Sequence, residues 1–196
     1  EMSDSEIINL ALVIDCLPFP GETQFIGFIR ANYRQWFPQL LTQSQFNRRL
    51  RKLEQMIETL RRKWVRQLGG ENANSFIIDT KPIPVMGYRR RKRHSDFHGS
   101  ADYGYCAARK MKYFGYKLVM ISTLKGLPIA YELVPANVDE RQAVEGVLEM
   151  VRNSDIYGDK GFIGQGWQQQ MTSSTGNKIW TIHRDNQHHQ PYTRVK

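Results

Sequence analysis

The sequence predicts an α/β chain in which an N-terminal helical module is followed by a mixed sheet with helices. Three observations carry that reading. Apolar residues recur at helical spacing through the first 68 positions. After a Gly/Asn linker at 69–74 the period shifts to short runs of strand type. Strand, hairpin, helix and strand then follow one another, an order that gives a mixed sheet. The expected parts are residues 1–70 and 75–196.

The first helix starts at a capping-box signal, Ser3 with Glu6 three positions later, and carries Ile7, Leu10, Ala11, Ile14 and Leu17 on one side. Pro18, Pro20 and Gly21 stop it. Residues 23–33 repeat the pattern with Phe25, Ile26, Phe28 and Ile29, and Pro38 closes that region. Thr42 and Gln45 form a second capping box for one long helix, with Phe46, Leu50, Leu53, Ile57, Leu60, Trp64 and Leu68 stepping by three or four until Gly69-Gly70. Three short helices with a basic face suit either a helix-turn-helix-like module or a plain bundle.

In the second part, residues 75–79 read as a short strand ending in Asp79, and 80–93, with Pro82 and Pro84, as an irregular basic excursion. Residues 116–123 and 127–134 form a hairpin around Lys125-Gly126. Asn137 and Glu140 cap a helix to about Arg152, with Ala143, Val144, Val147, Leu148 and Val151 inward. Residues 155–159 make a second strand ending in Asp159, 165–172 a helix, and 178–182 a last strand.

Of 196 residues, 28 are Lys or Arg against 19 Asp or Glu, a net charge of +9 that points to a polyanionic partner. A 40% hydrophobic, 24% charged composition excludes wholesale disorder. No apolar run approaches the ~20 residues of a membrane helix. Two cysteines, Cys16 and Cys106, cannot build a disulfide framework, so a reducing cytoplasm is expected. The bases are clustered. Arg48, Arg49, Arg51, Lys52, Arg61, Arg62, Lys63 and Arg66 face only Glu54 and Glu58 in their segment. Arg89, Arg90, Arg91, Lys92 and Arg93 are consecutive, and Arg109, Lys110, Lys112 and Lys117 form a third group. One such cluster is an ordinary solvated face; three favour phosphate-backbone binding to double-stranded DNA. Tyr103, Tyr105, Tyr113, Phe114 and Tyr116 interleave with the third group, which suits either base stacking or hairpin packing.

The chemistry centres on Asp79 and Asp159, each at the end of an apolar strand and each followed by a chain break. At the carboxyl ends of neighbouring strands such side chains converge on one crevice. Two carboxylates there repel unless a divalent cation neutralises them, and Mg2+ (or Mn2+) suits oxygen ligands beside phosphates. His94 and His98 share a helical spacing, but Ser95, Gly99 and Ser100 argue for a loop, so zinc is not favoured. His183, His188 and His189 sit among polar residues and read as solvated.

These residues resemble a DDE insertion-sequence transposase over nearly the whole chain. The resemblance rests on Ser3-Asp4-Ser5-Glu6-Ile7-Ile8, Asn32-Tyr33 with Phe37-Pro38, and Phe46-Asn47-Arg48-Arg49-Leu50-Arg51 in the first part. In the second it rests on Ile78-Asp79-Thr80-Lys81-Pro82, Tyr113-Phe114-Gly115-Tyr116-Lys117-Leu118 and Gly158-Asp159-Lys160-Gly161-Phe162. It implies a helical DNA-binding segment and a partial RNase H-like sheet. It also implies metal-dependent cleavage and strand transfer at element ends, by a homo-oligomer on terminal-repeat and target DNA in a bacterial nucleoid. Asp79 and Asp159 would be the first two members of its acidic triad and its metal ligands. The third, a Glu on a later helix, has no counterpart: no Glu follows Glu149, and Asp185 comes too early. Val119 also stands where similar proteins often carry His. With Glu1 preceding Met2, these departures suggest a C-terminally truncated transposase, whose alternative role is a non-catalytic DNA-binding product that competes with the full-length enzyme.

Overall fold

The computed structural model describes residues 2–86, 88, 95–107 and 109–182. The helical and strand-type halves of the sequence form two compact units, Glu1–Trp64 and Val65–Lys196.

In the first unit α1 (Asp4–Asp15) opens on the expected capping box. The Ser3 hydroxyl accepts from the Glu6 N–H at 3.2 Å and the Glu6 carboxylate accepts from the Ser3 N–H at 2.6 Å, which holds the Glu6 carboxyl below its ordinary range. Next come α2 (Glu22–Asn32) and α3 (Gln43–Lys52), the latter capped by Thr42 and Gln45. α4 (Glu54–Gln67) runs on past the boundary of the unit. Ile7, Phe25, Ile26 and Phe46 fill the core. The single long helix expected from Phe46 onward is therefore two. The turn is at Leu53, whose N–H bonds back to the Leu50 carbonyl at 3.0 Å while its side chain stays buried. No Gly or Pro marks this break, so the apolar spacing runs through it unchanged. Trp64 and Leu68, expected on the inward stripe, are exposed.

The second unit holds a six-stranded mixed sheet. Its strands are β1 (Ser75–Met86), β2 (Asp102–Cys106), β3 (Met111–Thr123), β4 (Pro128–Pro135), β5 (Asp155–Gly158) and β6 (Lys178–Thr181). β3 is the organising strand: β1 pairs along one edge, while β2 and β4 pair in series along the other, all antiparallel. β5 joins β1 in parallel and β6 joins β5 in parallel. Tight packing sets the glycine at 115, because a Cβ there would run into the backbone of β1 at Ile83.

Four expectations change. β1 does not stop at Asp79 but continues through Pro82 and Pro84 to Met86. β5 pairs only with Ser75, Phe76 and Ile77, so the later half of β1 is flanked by β3 alone, the edge condition under which a strand accommodates proline. β2 had no expected counterpart; its Gly104 breaks the apolar alternation that would announce a strand. α5 (Glu140–Leu148) is capped by Asp139, not Asn137, and ends short of Arg152. There the buried Asn177 side chain donates to the carbonyls of Leu148 and Val151, at 3.0 and 2.7 Å, taking over bonds a longer helix would make. α6 (Gln165–Thr175) is slightly longer than expected.

Both helices of this unit cover one face of the sheet. Phe76, Ile78, Val119, Ile121, Ile156 and Ile179 point to that side and pack with α5 and α6. Ile156 and Ile179 are thus buried, while Ile182 is exposed. The alternate residues, Ile77, Met120, Tyr131 and Leu133, lie on the opposite face and are exposed. No helix among the described residues is long and apolar enough to cross a membrane.

Candidate active site

The parallel ladder between β1 and β5 runs Ser75–Asp155, Phe76–Ile156, Ile77–Tyr157. The last pair of this ladder, Ile77–Tyr157, lies two residues before Asp79 on β1 and two before Asp159, which follows the end of β5. Asp79 shares the face of Ile77 and Met120, opposite α5 and α6, whereas the Asp159 carboxylate turns toward the start of α5, where a Cβ on Gly161 would meet both its Oδ1 and the Glu140 Oε2. The sequence placed both aspartates at strand ends. Asp79 instead lies inside β1, while β5 ends at Gly158, one residue before Asp159.

Both carboxylates are exposed. Oδ1 of Asp79 accepts from the Thr80 N–H at 2.8 Å. Oδ1 of Asp159 accepts from the Gly161 N–H at 2.7 Å and so caps the 3-10 turn Lys160–Phe162. These local bonds fix each side chain and leave its second oxygen without a protein donor among the described residues. Hard, water-accessible oxygens of this kind fit Mg2+ or Mn2+, with waters or phosphate oxygens completing the shell. The described residues contain no group of three or more His, Cys, Asp or Glu side chains arranged to hold a metal ion. Of the other candidates, Asp185, His94, His183, His188 and His189 lie outside the described residues. His98 falls in a turn and Cys106 is a free thiol. Val119 is fully buried opposite Thr80, a core position on the helix side.

Beside Asp159 opens a depression of about 450 Å³ lined by Lys117, Asp139, Glu140, Arg141, Lys160 and Gly161. Three cations in one hollow next to a carboxylate pair can draw in a phosphodiester. Lys117 donates to the Val138 carbonyl at 2.6 Å, which anchors its stem to the start of α5. Asp139 accepts from the Arg141 N–H at 3.0 Å, and that bond, helped by the Arg141 guanidinium, holds its carboxyl below the usual range. Glu140 was legible only as a cap residue, but it does more. Its Oε1 accepts from the Thr80 hydroxyl at 3.3 Å, and a Cβ on Gly161 would strike both its Oε2 and the Oδ1 of Asp159. Glu140 therefore stands between the two strands that carry the aspartates.

The expected DNA contacts divide. Arg48, Arg51, Lys52, Arg62 and Lys63 are exposed. Arg49 is half-buried and paired with Asp4, and Arg61 is half-buried against Glu58 at 2.7 Å, so both serve the helical unit itself. Arg62 also reaches Glu58 at 2.7 Å from an exposed position. Arg89, Arg90, Arg91, Lys92 and Arg93 lie outside the described residues.

Residues 72–195 match the family model described as the transposase DDE domain. No curated protein and no solved structure matches the chain. A mixed sheet with helices fits the α/β RNase H-like form of that domain, and since the match covers most of the sequence the chain belongs to the transposase DDE domain family.

Proposed function

We propose that this chain carries two of the acidic residues of a transposase, Asp79 and Asp159, and that its chemistry is metal-dependent cleavage and transfer of DNA strands at insertion-sequence ends. The observation that supports it most is the parallel pairing of β1 with β5, whose last pair lies two residues before each aspartate. A divalent cation bound there would activate an attacking water and stabilise the leaving oxygen of a phosphodiester. Asp79 and Asp159 would hold it, each through the oxygen not engaged by backbone. Lys117, Arg141 and Lys160 would neutralise the phosphate, and Glu140, through Thr80 and the Gly161 turn, would keep the two strands in step. The helical unit, residues 1–70 by the sequence reading, would bind double-stranded DNA through Arg48, Arg51, Lys52, Arg62 and Lys63, in a homo-oligomer assembled on that DNA in a bacterial nucleoid.

A second reading, DNA binding without cleavage, is favoured by one observation: the described residues offer no third carboxylate grouped with the pair. Thermal melting in millimolar Mg2+ or Mn2+ separates the outcomes, because a ligand that binds only the folded state raises Tm by mass action. The expected result is a rise that Asp79→Asn and Asp159→Asn each reduce and that the distant Asp15→Asn leaves intact. Melting indifferent to metal sinks the assignment of the pair. Metal stabilisation without nicking of duplex element ends supports the second reading.

A further inference from the structure

We propose that the β2–β3 hairpin is a stacking platform for unpaired nucleotides, with Tyr103 and Tyr105 supplying ring faces and Arg109, Lys110 and Lys112 the phosphate contacts. This rests on the DNA reading above and deepens it by naming the strand form and the residues.

The structure separates the aromatic residues that the sequence groups together. Tyr113 and Phe114 are buried, and Tyr116 is covered edge-on by Phe97 at a centroid distance of 6.3 Å. Tyr103 and Tyr105 are different: they alternate with Asp102, Gly104 and Cys106, so both rings stand on one face, and they are 46% and 60% exposed. That is far more open than packing of a hairpin needs. Tyr103 is held edge-on between Tyr88 and Phe114, at 5.4 and 5.1 Å, so its ring is oriented before any partner arrives. Positions i and i+2 on a strand are about 6.7 Å apart, twice the ~3.4 Å rise of stacked bases.

The charge on the hairpin fits the same partner. Lys112 is the cross-strand neighbour of Tyr105, and Arg109 and Lys110 lie in the turn. All three are exposed, and none has an acidic partner among the described residues. Lys110 sits at φ 48°, a left-handed position that Gly or Asn would occupy at lower cost. A cation is thus kept where the backbone does not favour it. Tyrosine rings can stack only on bases whose faces are free, which selects a single or melted strand over an intact duplex.

The platform shares a sheet face with Asp79. Lys112, opposite Tyr105, and Met120, opposite Asp79, are an even number of positions apart on β3. The eight residue steps between those positions span about 26 Å. A nucleic acid touching both ends would reach across about eight base-pair rises.

The test is binding of the full chain to a labelled oligothymidylate and to a labelled duplex of equal length, across a salt series. Tyr103→Ala and Tyr105→Ala should each weaken oligothymidylate binding about five-fold or more while duplex affinity holds, and Tyr105→Phe should restore it. Lys112→Ala should lower the salt slope for the single strand by about 0.7. Unchanged single-strand affinity in Tyr105→Ala, or equal losses on both forms, overturns the platform. A change of oligomeric state in Tyr105→Ala, read by sedimentation, would instead assign the patch to pairing between copies. A wild-type chain that binds neither form overturns the underlying DNA reading, whereas normal duplex binding with indifferent tyrosine variants overturns this inference alone.

Discussion

Gly161 shows how single residues set the site. Any side chain there meets the ends of the Glu140 and Asp159 side chains together, and both can swing aside, so Gly161→Ala should displace the two carboxylates at a cost of about 0.5 kcal/mol. Chemical denaturation checks the cost, and Glu140→Ala in the same chain should recover part of it, because the first obstacle is then gone. Asp139 gives a pH test. Its carboxyl is held below the ordinary value chiefly by the Arg141 N–H. A depressed carboxyl contributes stability that is present above the unfolded value of about 3.9 and is lost as pH falls through the folded value. The Tm gap between wild type and Asp139→Asn should therefore be open at neutral pH and close progressively below about pH 4. The sequence singles out Asp79 and Asp159 as carboxylates closing apolar runs, although β1 continues past Asp79. Glu140 was legible only as a cap residue: its importance comes from Thr80 and Gly161, which are 60 and 21 positions away in sequence.

At the scale of elements, helix ends carry much of what sequence patterning missed. Asn177 is fully buried, donates to two carbonyls at the end of α5 and accepts from the Ser154 N–H at 3.1 Å. Asn177→Ala strands all three partners, and at about 1–3 kcal/mol for each unsatisfied buried group it is expected to unfold the second unit at moderate temperature. Circular dichroism melting checks this, and Asn177→Asp should be nearly as damaging, since its oxygens face two carbonyls. The start of α1 was readable because Ser3 and Glu6 are three apart; the end of α5 depends on a residue beyond the next strand. The α3 and α4 helices divide the labour of charge. Arg48→Ala with Arg51→Ala and Lys52→Ala should flatten the salt dependence of duplex binding by about 0.9 for each phosphate no longer neutralised. Arg61→Ala should act mainly on stability, because its partner is Glu58. A filter-binding salt series on both variants distinguishes the two roles.

For the whole molecule, the sequence order of strand, hairpin, helix and strand sufficed to give the mixed sheet, whereas its one-sided cover did not show. Alternation tells which residues share a face but not which face the helices choose; they cover Ile156 and Ile179 and leave Ile77, Met120, Tyr131 and Leu133 exposed. The ladder lengths have a dynamic consequence. β1 is laced to β3 from Phe76 to Met86 but to β5 over only three residues. The seam between β1 and β5 is therefore where the sheet breathes first, and it opens at the very place where two negative charges push outward. Hydrogen–deuterium exchange should find β3 amides among the slowest and those of Ile156 and Tyr157 faster. Neutralising one charge, as Asp159→Asn does, should slow exchange at the seam without touching β3. If the pair holds a counter-ion as proposed, the same two charges would favour opening of this seam until the ion arrives.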